Sequence, residues 1–329
     1  MNFIAKFFHT KNRDRFIVTD GEKERTDQLY YEVSGSKRRA HRTWYRGRDV
    51  NYHPVRKSLA EKNAFAKYIG LGWLPPEPFI DKDTYITAFG SCFAAELTKF
   101  LYSEGYKVFG RNLDLNAHVV RSGEGIVNSS ALRQQFEWAY QTSRPDEGMW
   151  HGPNGEELST DTDQRDTTAQ VFSLTDVFIF TLGLSEIWYN KENGEAFWRG
   201  IPSENYDERI HSLKVLSPQE NLNNLQRVYE LIRINRPNAA VIFTISPVPL
   251  AATFRPVSCV TANSVSKASL RVAVDELMRR YPDDQKLFYF PSYEVVTTIC
   301  PDPMEDDLRH PRRSVIKWIL EEFRSAYLT

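Results

Sequence analysis

Five short β-type runs recur along this chain, separated by helical patterns and long insertions. The runs at residues 177–182 and 240–246 are almost wholly apolar, which is typical of strands buried on both faces of a parallel sheet. The other three lie at residues 85–89, 106–109 and 287–290. Strands that alternate with helices are joined by right-handed crossovers, which cover both faces of the sheet. The sequence therefore predicts an α/β fold, a three-layer α/β/α sandwich around a five-stranded parallel sheet.

Helical and hairpin insertions are predicted between these strands. The span 110–176 is too long for a plain crossover, and its segment 131–140 has a helical pattern. A second insertion covers residues 187–218, where aromatic segments flank Asn193-Gly194 and predict a β-hairpin over 187–199. After the fourth strand, apolar residues recur at helical spacing and predict the buried face of a helix: Val265, Ala268, Val272 and Leu277.

Composition and charge narrow the class of protein. The 42 basic and 43 acidic residues nearly cancel, so the net charge of −1 gives no general attraction to nucleic acid. Three scattered cysteines fit neither a disulfide framework nor a metal site, and neither a metal nor a cofactor is expected. No signal-peptide pattern and no apolar run of membrane-spanning length occur, which favours a cytoplasmic protein without stable membrane insertion.

The first 50 residues are polar and carry a basic cluster at residues 37–48. We therefore divide the chain into a polar basic N-terminal arm, 1–50, and a catalytic domain, 51–329. The cluster is interpreted as a solvated surface, or as a contact for an anionic partner such as an acidic polysaccharide.

A serine stands where the first apolar run stops at Gly90 and a helical pattern begins. At such a junction a hydroxyl is presented at the sheet edge, beside free backbone N–H groups. Ser91 is therefore a candidate nucleophile, with His310 as its base and Asp307 as the group that orients the base. The alternatives are a plain helix cap at Ser91, a cap with a surface histidine at 307–310, and a rival nucleophile at Cys92, which helical spacing predicts to point inward.

Several ordered blocks resemble the GSCFA family, which is similar to a branch of the SGNH (GDSL-like) esterase superfamily. The resemblance covers about residues 40–325 and rests on these blocks: Phe89-Gly90-Ser91-Cys92-Phe93-Ala94, Gly125-Ile126-Val127-Asn128, Gly183-Leu184-Ser185-Glu186, Ser246-Pro247-Val248-Pro249, Tyr289-Phe290-Pro291-Ser292 and Asp307-Leu308-Arg309-His310-Pro311. It implies a flavodoxin-like strand order, with the nucleophile after the first strand. It also implies catalytic roles for Ser91, Asp307 and His310.

The same resemblance implies an oxyanion hole built from three donors. They would be the N–H of Ser91, the N–H of Gly125, and an asparagine amide in the third block. Ser185 occupies the place of that asparagine, so its hydroxyl and the amide of Asn128 are both candidates for the third donor. The alternative interpretation of Asn128 is a cap of the helix that begins near residue 131.

Two further groups are candidates for substrate binding. The first follows the third strand and includes the predicted hairpin: Glu186, Trp188, Trp198 and Arg199. The second forms a polar helical face after the fourth strand: Asn263, Lys267 and Arg271. Their structural alternatives are hairpin packing and a solvated helix face. The substrate is expected to be a small-molecule or carbohydrate acyl ester.

The sequence predicts a serine-dependent acyl-ester enzyme, a carbohydrate O-acetyl esterase or an O-acetyltransferase that acts through a Ser91 acyl-enzyme. The alternative, from a different class, is a catalytically silent carbohydrate-binding or polysaccharide-assembly protein on the same fold.

Overall fold

The computed structural model describes residues 28–33, 36–43, 51, 53–90, 92–113, 115, 117, 127–141, 148–152, 154–198 and 200–329, with the backbone alone for 28–33 and 36–43. The chain forms two compact units, Met1–Gly72 and Trp73–Thr329. The boundary therefore lies 22 residues beyond the predicted end of the N-terminal arm, since residues 51–72 belong to the first unit.

The first unit contains an antiparallel hairpin of β1 (Gln28–Val33) and β2 (Ser36–Thr43). Part of the predicted arm is therefore strand. Residues 37–43 of the basic cluster belong to β2, and residues 44–48 are outside the described residues. Two short helical turns follow, Ser58–Ala60 and Phe65–Ile69.

The second unit is built around a five-stranded parallel sheet. Its strands and those of its insertion are β3 (Tyr85–Gly90), β4 (Lys107–Val108), β5 (Val177–Leu182), β6 (Glu186–Asn190), β7 (His211–Val215), β8 (Ala240–Ile245) and β9 (Leu287–Tyr289). The sheet has the order β4-β3-β5-β8-β9, with every pair parallel. Counted along the sheet strands this is 2-1-3-4-5, the flavodoxin-like order. All five predicted strands are confirmed, with ends that differ by one residue at most.

Six helices of eleven residues or more flank the sheet in the described part of the second unit: α1 (Cys92–Ser103), α2 (Ser129–Ala139), α3 (Thr162–Leu174), α4 (Pro218–Asn235), α5 (Cys259–Arg280) and α6 (Arg313–Tyr327). Short helical turns also occur at Ser203–Asn205, Ser292–Glu294 and Val295–Ile299. Neighbouring residues of β9 show that both faces are covered, because successive strand side chains point to opposite faces. The ring of Phe288 contacts Tyr327 of α6, whereas the ring of Tyr289 lies 4.3 Å from the guanidinium of Arg271 in α5. The predicted three-layer sandwich is confirmed.

The buried face of α5 differs from the prediction. Val265 and Val272 are 46% and 52% exposed and Ala268 is exposed as well, so only Leu277 of the predicted stripe faces the core. The helix instead buries Ser266 and Lys267 together with apolar residues such as Leu270. The reason is hydrogen bonding: Ser266 and Lys267 both bond to the segment that follows β5, which satisfies their polar groups inside the protein.

The insertion after β5 contains the predicted turn and a second strand partner that was not predicted. Gly194 has a φ of 76° and its N–H donates to the carbonyl of Asn190, as expected for a glycine turn. However, β6 pairs along its length with β7, and the predicted second arm contributes only a short pairing on the other side of β6. Around the bridge between Tyr189 and Ala196, the N–H of Asn190 donates to the carbonyl of Glu195 and the N–H of Phe197 donates to the carbonyl of Trp188. The N–H and the carbonyl of Ala196 point away from β6 and bond to the side-chain amide of Gln134 in α2.

In the part of the chain that the structure describes, no helix combines the length and the apolar character that crossing a membrane requires.

Candidate active site

The junction of β3 and α1 depends on Gly90. Its φ is +140°, and an added Cβ would overlap the carbonyl oxygen of Thr181 and lie 2.5 Å from the Cβ of the same residue. The cause is the parallel pairing of Gly90 with Thr181 on the neighbouring strand β5. Only glycine fits this position without displacing β5. Ser91, the next residue, lies outside the described residues, and so does Gly125; their roles stay predictions.

Cys92 begins α1 and its side chain is exposed. The prediction that it points inward was therefore wrong, and burial gives no argument against it as a rival nucleophile. The prediction assumed the spacing of a regular helix, but Cys92 is the first residue of α1, and no helical turn precedes it to cover its side chain.

Asp307 and His310 are brought together in the loop between β9 and α6. The Oδ2 atom of Asp307 lies 2.5 Å from Nδ1 of His310, and both side chains are about half exposed. An antiparallel bridge between Met304 and Pro311 closes the base of this loop. The N–H of Glu305 also donates to the carbonyl of His310. The predicted contact within one turn is therefore present, and it leaves Nε2 of His310 on the other side of the ring.

The carboxylate of Asp307 is held by more than the imidazole. Its Oδ1 atom accepts the backbone N–H groups of His310 and Arg309, each at 2.9 Å. The backbone bond of His310 and the contact with its ring hold the pKa of Asp307 well below its ordinary value. Leu308, between the two residues, has a φ of 55°, a left-handed conformation that is unfavourable for leucine and lets the turn close. The group that faces Nδ1 is therefore an ionised carboxylate at any pH where histidine titrates.

Val127 and Asn128 lie beside the segment that follows β5. The carbonyl of Val127 accepts the N–H of Gly183 at 2.8 Å. In a parallel sheet, the segments that follow the strands lie at one common edge. The turn after β3, the segment around Gly183 and the loop that carries Asp307 and His310 therefore share the carboxyl edge of the sheet.

Asn128 caps α2, which was the alternative to its predicted role. Its Oδ1 atom accepts the N–H of Ala131 at 2.8 Å, and the side chain is buried. This bond fixes the orientation of the amide, because Oδ1 is the acceptor and Nδ2 is the remaining donor group. The cap and the oxyanion interpretation are compatible, since they use different atoms.

Ser185 is excluded as the third donor. Its side chain is fully buried, its hydroxyl donates to the carbonyl of Ser266 at 3.0 Å, and it accepts from Nδ2 of Asn221 at 3.3 Å. A hydroxyl carries one hydrogen, and here that hydrogen is already used. The prediction failed because sequence position could not show that this side chain points toward α5.

The three candidates on the polar face of α5 bond within the protein. Oδ1 of Asn263 accepts the N–H of Leu250, and Nε of Arg271 donates to Glu294. Lys267 is 1% exposed, and its Nζ donates to the carbonyls of Gly183 and Val248 at 2.7 and 2.8 Å. Each of these three side chains therefore has at least one hydrogen-bond partner within the protein.

The candidates around β6 line a cavity of about 640 Å³ at the same edge of the sheet. Glu186, Trp188 and Trp198 all contribute to its wall, and so does Asn128. The Glu186 carboxylate accepts the hydroxyl of Thr253 at 3.0 and 2.8 Å from its two oxygens. The fourth candidate, Arg199, is outside the described residues.

Sequence reasoning missed the loop after β8, which closes this cavity with Leu250, Ala252 and Phe254. One signal was present: this loop directly follows a fully buried, almost wholly apolar strand, and ligands of α/β proteins bind at such positions. In the described residues, no group of three or more histidine, cysteine, aspartate or glutamate side chains could hold a metal ion.

Comparison with known proteins gives one family. The model of the GSCFA family matches residues 85–323, from the first strand of the sheet to the last helix. The chain belongs to the GSCFA family. The matched residues include the Gly90 turn, the Asp307–His310 loop and the cavity wall, so these features lie inside the GSCFA region. Among curated proteins, no sequence matches the chain significantly.

Three solved structures resemble this GSCFA chain at low identity. A protein described as a GDSL-like lipase from Parabacteroides merdae is 11% identical, with a TM-score of 0.37 over 76% of this chain and 98% of that one. A protein described as a platelet activating factor from Streptococcus pneumonia is 10% identical, with a TM-score of 0.36 over 75% of this chain and 84% of that one. A carbohydrate esterase family 3 protein from Talaromyces cellulolyticus is 10% identical, with a TM-score of 0.31 over 73% of this chain and 94% of that one. Similarity of this degree does not identify an activity.

Lys267 of this GSCFA chain makes a testable contribution to stability. Burial lowers its pKa from 10.5 to about 7, and a neutral amine has two N–H groups for its two carbonyl acceptors. Between pH 7 and about 10 the unfolded chain therefore binds more protons than the folded one, so the free energy of unfolding rises with pH. One proton contributes at most about 1.4 kcal/mol per pH unit.

Lys267→Met is expected to remove this rise and to leave two buried carbonyls without a partner, which costs about 1–3 kcal/mol. Urea unfolding of the wild type and of Lys267→Met at pH 6, 7.5 and 9 measures both effects. The stability difference between the two proteins should grow with pH. Parallel pH profiles would contradict the lowered pKa of Lys267.

Proposed function

We propose that this GSCFA protein is a serine-dependent acyl-ester enzyme in which Ser91 is the nucleophile, His310 the general base and Asp307 the group that orients the base. The observation that carries the proposal is the 2.5 Å contact between Asp307 Oδ2 and His310 Nδ1, in a loop at the sheet edge that the Gly90 turn also occupies. Asp307 selects the tautomer with the proton on Nδ1, so Nε2 is free to accept the proton of a serine hydroxyl.

The reaction proceeds through two acyl transfers. Ser91 Oγ attacks the ester carbonyl while Nε2 of His310 takes its proton, which gives a tetrahedral intermediate. Collapse of this intermediate breaks the ester C–O bond, and His310 returns the proton to the departing alcohol. Attack on the acyl-enzyme then repeats these steps in reverse: the attacking hydroxyl loses its proton to His310, and Ser91 Oγ recovers one as it leaves.

The tetrahedral oxyanion is proposed to be stabilised by the N–H of Ser91, the N–H of Gly125 and Nδ2 of Asn128. Support for Asn128 comes from its cap. Because Oδ1 is held by the N–H of Ala131, Nδ2 cannot exchange places with it, and the amide is fixed before substrate binds. Such preorganisation is what makes an oxyanion donor effective.

The group that attacks the acyl-enzyme decides the class of enzyme. Water gives an esterase, and a sugar hydroxyl gives an O-acyltransferase. A second candidate, a carbohydrate-binding protein without activity, is favoured by the two tryptophans in the cavity wall and by the loss of Ser185 as a donor.

Covalent labelling separates these candidates. A fluorophosphonate is expected to add one phosphonyl group to the wild type at Ser91, and pretreatment should abolish hydrolysis of p-nitrophenyl acetate. Ser91→Ala should block labelling, whereas the matched neighbour variant Cys92→Ala should not. Peptide mass spectrometry locates the adduct. Labelling at Cys92, or a wild type that neither labels nor turns over the ester, would refute the proposed mechanism.

A further inference from the structure

The cavity beside Asn128 has a wall that is mostly aromatic and aliphatic. Five rings line it: Trp188, Phe197, Trp198, Tyr206 and Phe254. The ring of Trp188 makes edge contacts with Tyr206 at 5.7 Å and with Phe254 at 5.1 Å, and Trp198 stacks on Trp150 at 4.1 Å. These contacts hold the wall in place across the insertion and the loop after β8, so the cavity is preformed rather than closed by ligand.

Polar groups in the described part of the wall are few. Glu186 is the charged one, and its carboxylate is engaged by the hydroxyl of Thr253 and lies 3.9 Å from Nη1 of Arg255. Its charge is therefore offset by the protein. A sugar ring buried here would leave most of its hydroxyls without partners, which is unfavourable. An apolar group would lose no hydrogen bonds and would gain from leaving water.

The size of the cavity also matters. Volumes of about 300–1,000 Å³ hold drug-sized molecules, and this cavity of about 640 Å³ lies within that range. An acetyl group would leave most of it empty. Asn128 and Leu184 line the part of the cavity nearest to the proposed nucleophile. Leu184 directly follows Gly183, and Gly183 lies two residues after Thr181, the strand partner of Gly90.

We propose that this cavity binds the acyl chain of the substrate, and that the substrate is an ester of a medium-chain fatty acid, of about eight carbons, rather than an acetate. This inference rests on the proposed function. It replaces the acetyl group expected from the sequence and leaves the alcohol part, which remains outside the cavity, free to be a sugar.

A chain-length series tests the inference in the full-length protein. The value of kcat/KM is expected to rise from p-nitrophenyl acetate through butyrate to octanoate, by about threefold to fourfold per added methylene at first. Gly200 lines the cavity, and a Cβ added there meets nothing within 4 Å, so a phenylalanine can be accommodated at this part of the wall. Gly200→Phe should reduce the octanoate-to-acetate ratio at least about tenfold. The exposed Ala252, at the cavity wall, offers a second filling variant, Ala252→Phe. Its exposed neighbour Ala251 does not line the cavity, so Ala251→Phe is the matched control and should keep both rates.

A binding measurement separates this inference from the proposed function. Sodium octanoate should change the tryptophan fluorescence of Ser91→Ala in a saturable manner, and Gly200→Phe should remove that change. Turnover that is fastest with acetate, together with no octanoate binding, would overturn the acyl-chain site and keep the serine mechanism. Saturable binding of cellobiose in place of octanoate would also overturn it. A protein that binds octanoate and turns over none of the esters would keep the apolar site and refute the proposed function.

Discussion

His310→Ala is expected to lower kcat for p-nitrophenyl esters at least about 1,000-fold, with KM changed by no more than about twofold. Without the imidazole, no group takes the proton of Ser91 as it attacks, whereas ground-state contacts of the substrate are unaffected. The side chain is half exposed and its ring bonds Asp307 alone among the described residues, so the fold should tolerate its loss. The thermal midpoint of the variant, measured beside its kinetics, checks that expectation.

Asp307→Asn tests the orientation of the base. The new amide can keep both backbone bonds through its oxygen, but its NH₂ group then faces Nδ1 of His310. The ring must place its proton on Nε2 and can no longer accept one from Ser91. We expect a loss of about 100-fold to 10,000-fold in kcat.

Asp306→Asn is the matched control, because Asp306 is exposed and lies in the same loop, and its substitution removes the same charge. It should change kcat by less than about twofold. Equal losses for Asp306→Asn and Asp307→Asn would show that the loop acts through its general charge. Full activity of Asp307→Asn would contradict the proposed role of Asp307.

The strands were predictable because their sequences are dominated by one requirement, whereas their order followed from the family resemblance. A run such as that of β5, almost wholly apolar and buried at every position, is typical of a strand covered by helices on both faces. Gly90 was predictable for a similar reason: an apolar run that ends in glycine and serine and continues as a helix leaves few backbone arrangements. Asp307 and His310 were predictable because their contact is local, formed within one turn.

The buried polar groups of α5 were not predictable. Sequence patterns treat valine as buried and lysine as exposed, yet Val265 is exposed and Lys267 is buried. Two carbonyls from segments 84 and 19 residues away, at Gly183 and Val248, make burial of the amine possible. Such partners are visible only after the chain has folded. The same limit explains Ser185, whose hydroxyl is used by Ser266 from a distant helix.

The second arm of the hairpin illustrates a third limit. The turn at Gly194 follows from local chemistry, but the extent of the second arm depends on distant partners. Glu195 and Phe197 exchange backbone bonds with β6, whereas the N–H and the carbonyl of Ala196 between them are bonded by Gln134, 62 residues earlier. Phe197 and Trp198, which follow, are buried in the wall of the cavity. The shape of the cavity therefore depends on a side-chain amide that no local pattern indicates.

Asn128→Asp is expected to lower kcat about 100-fold to 1,000-fold while the thermal midpoint stays close to that of the wild type. Aspartate caps helices as well as asparagine does, so the bond to the N–H of Ala131 and the start of α2 should be retained. What is lost is Nδ2, the proposed third donor to the oxyanion, and removal of one such donor typically has an effect of this size.

The carboxylate also introduces a negative charge, and Asn128→Ser controls for it. Serine is a good neutral cap, but its hydroxyl is shorter and is used by the cap as an acceptor. A loss of kcat in both variants, with unchanged KM and thermal midpoint, would assign the effect to the missing amide donor. A loss in Asn128→Asp alone would assign it to charge. Wild-type kcat in both variants would leave Asn128 with its cap as its only role, and the oxyanion hole would then need its third donor from another residue at the same edge of the sheet.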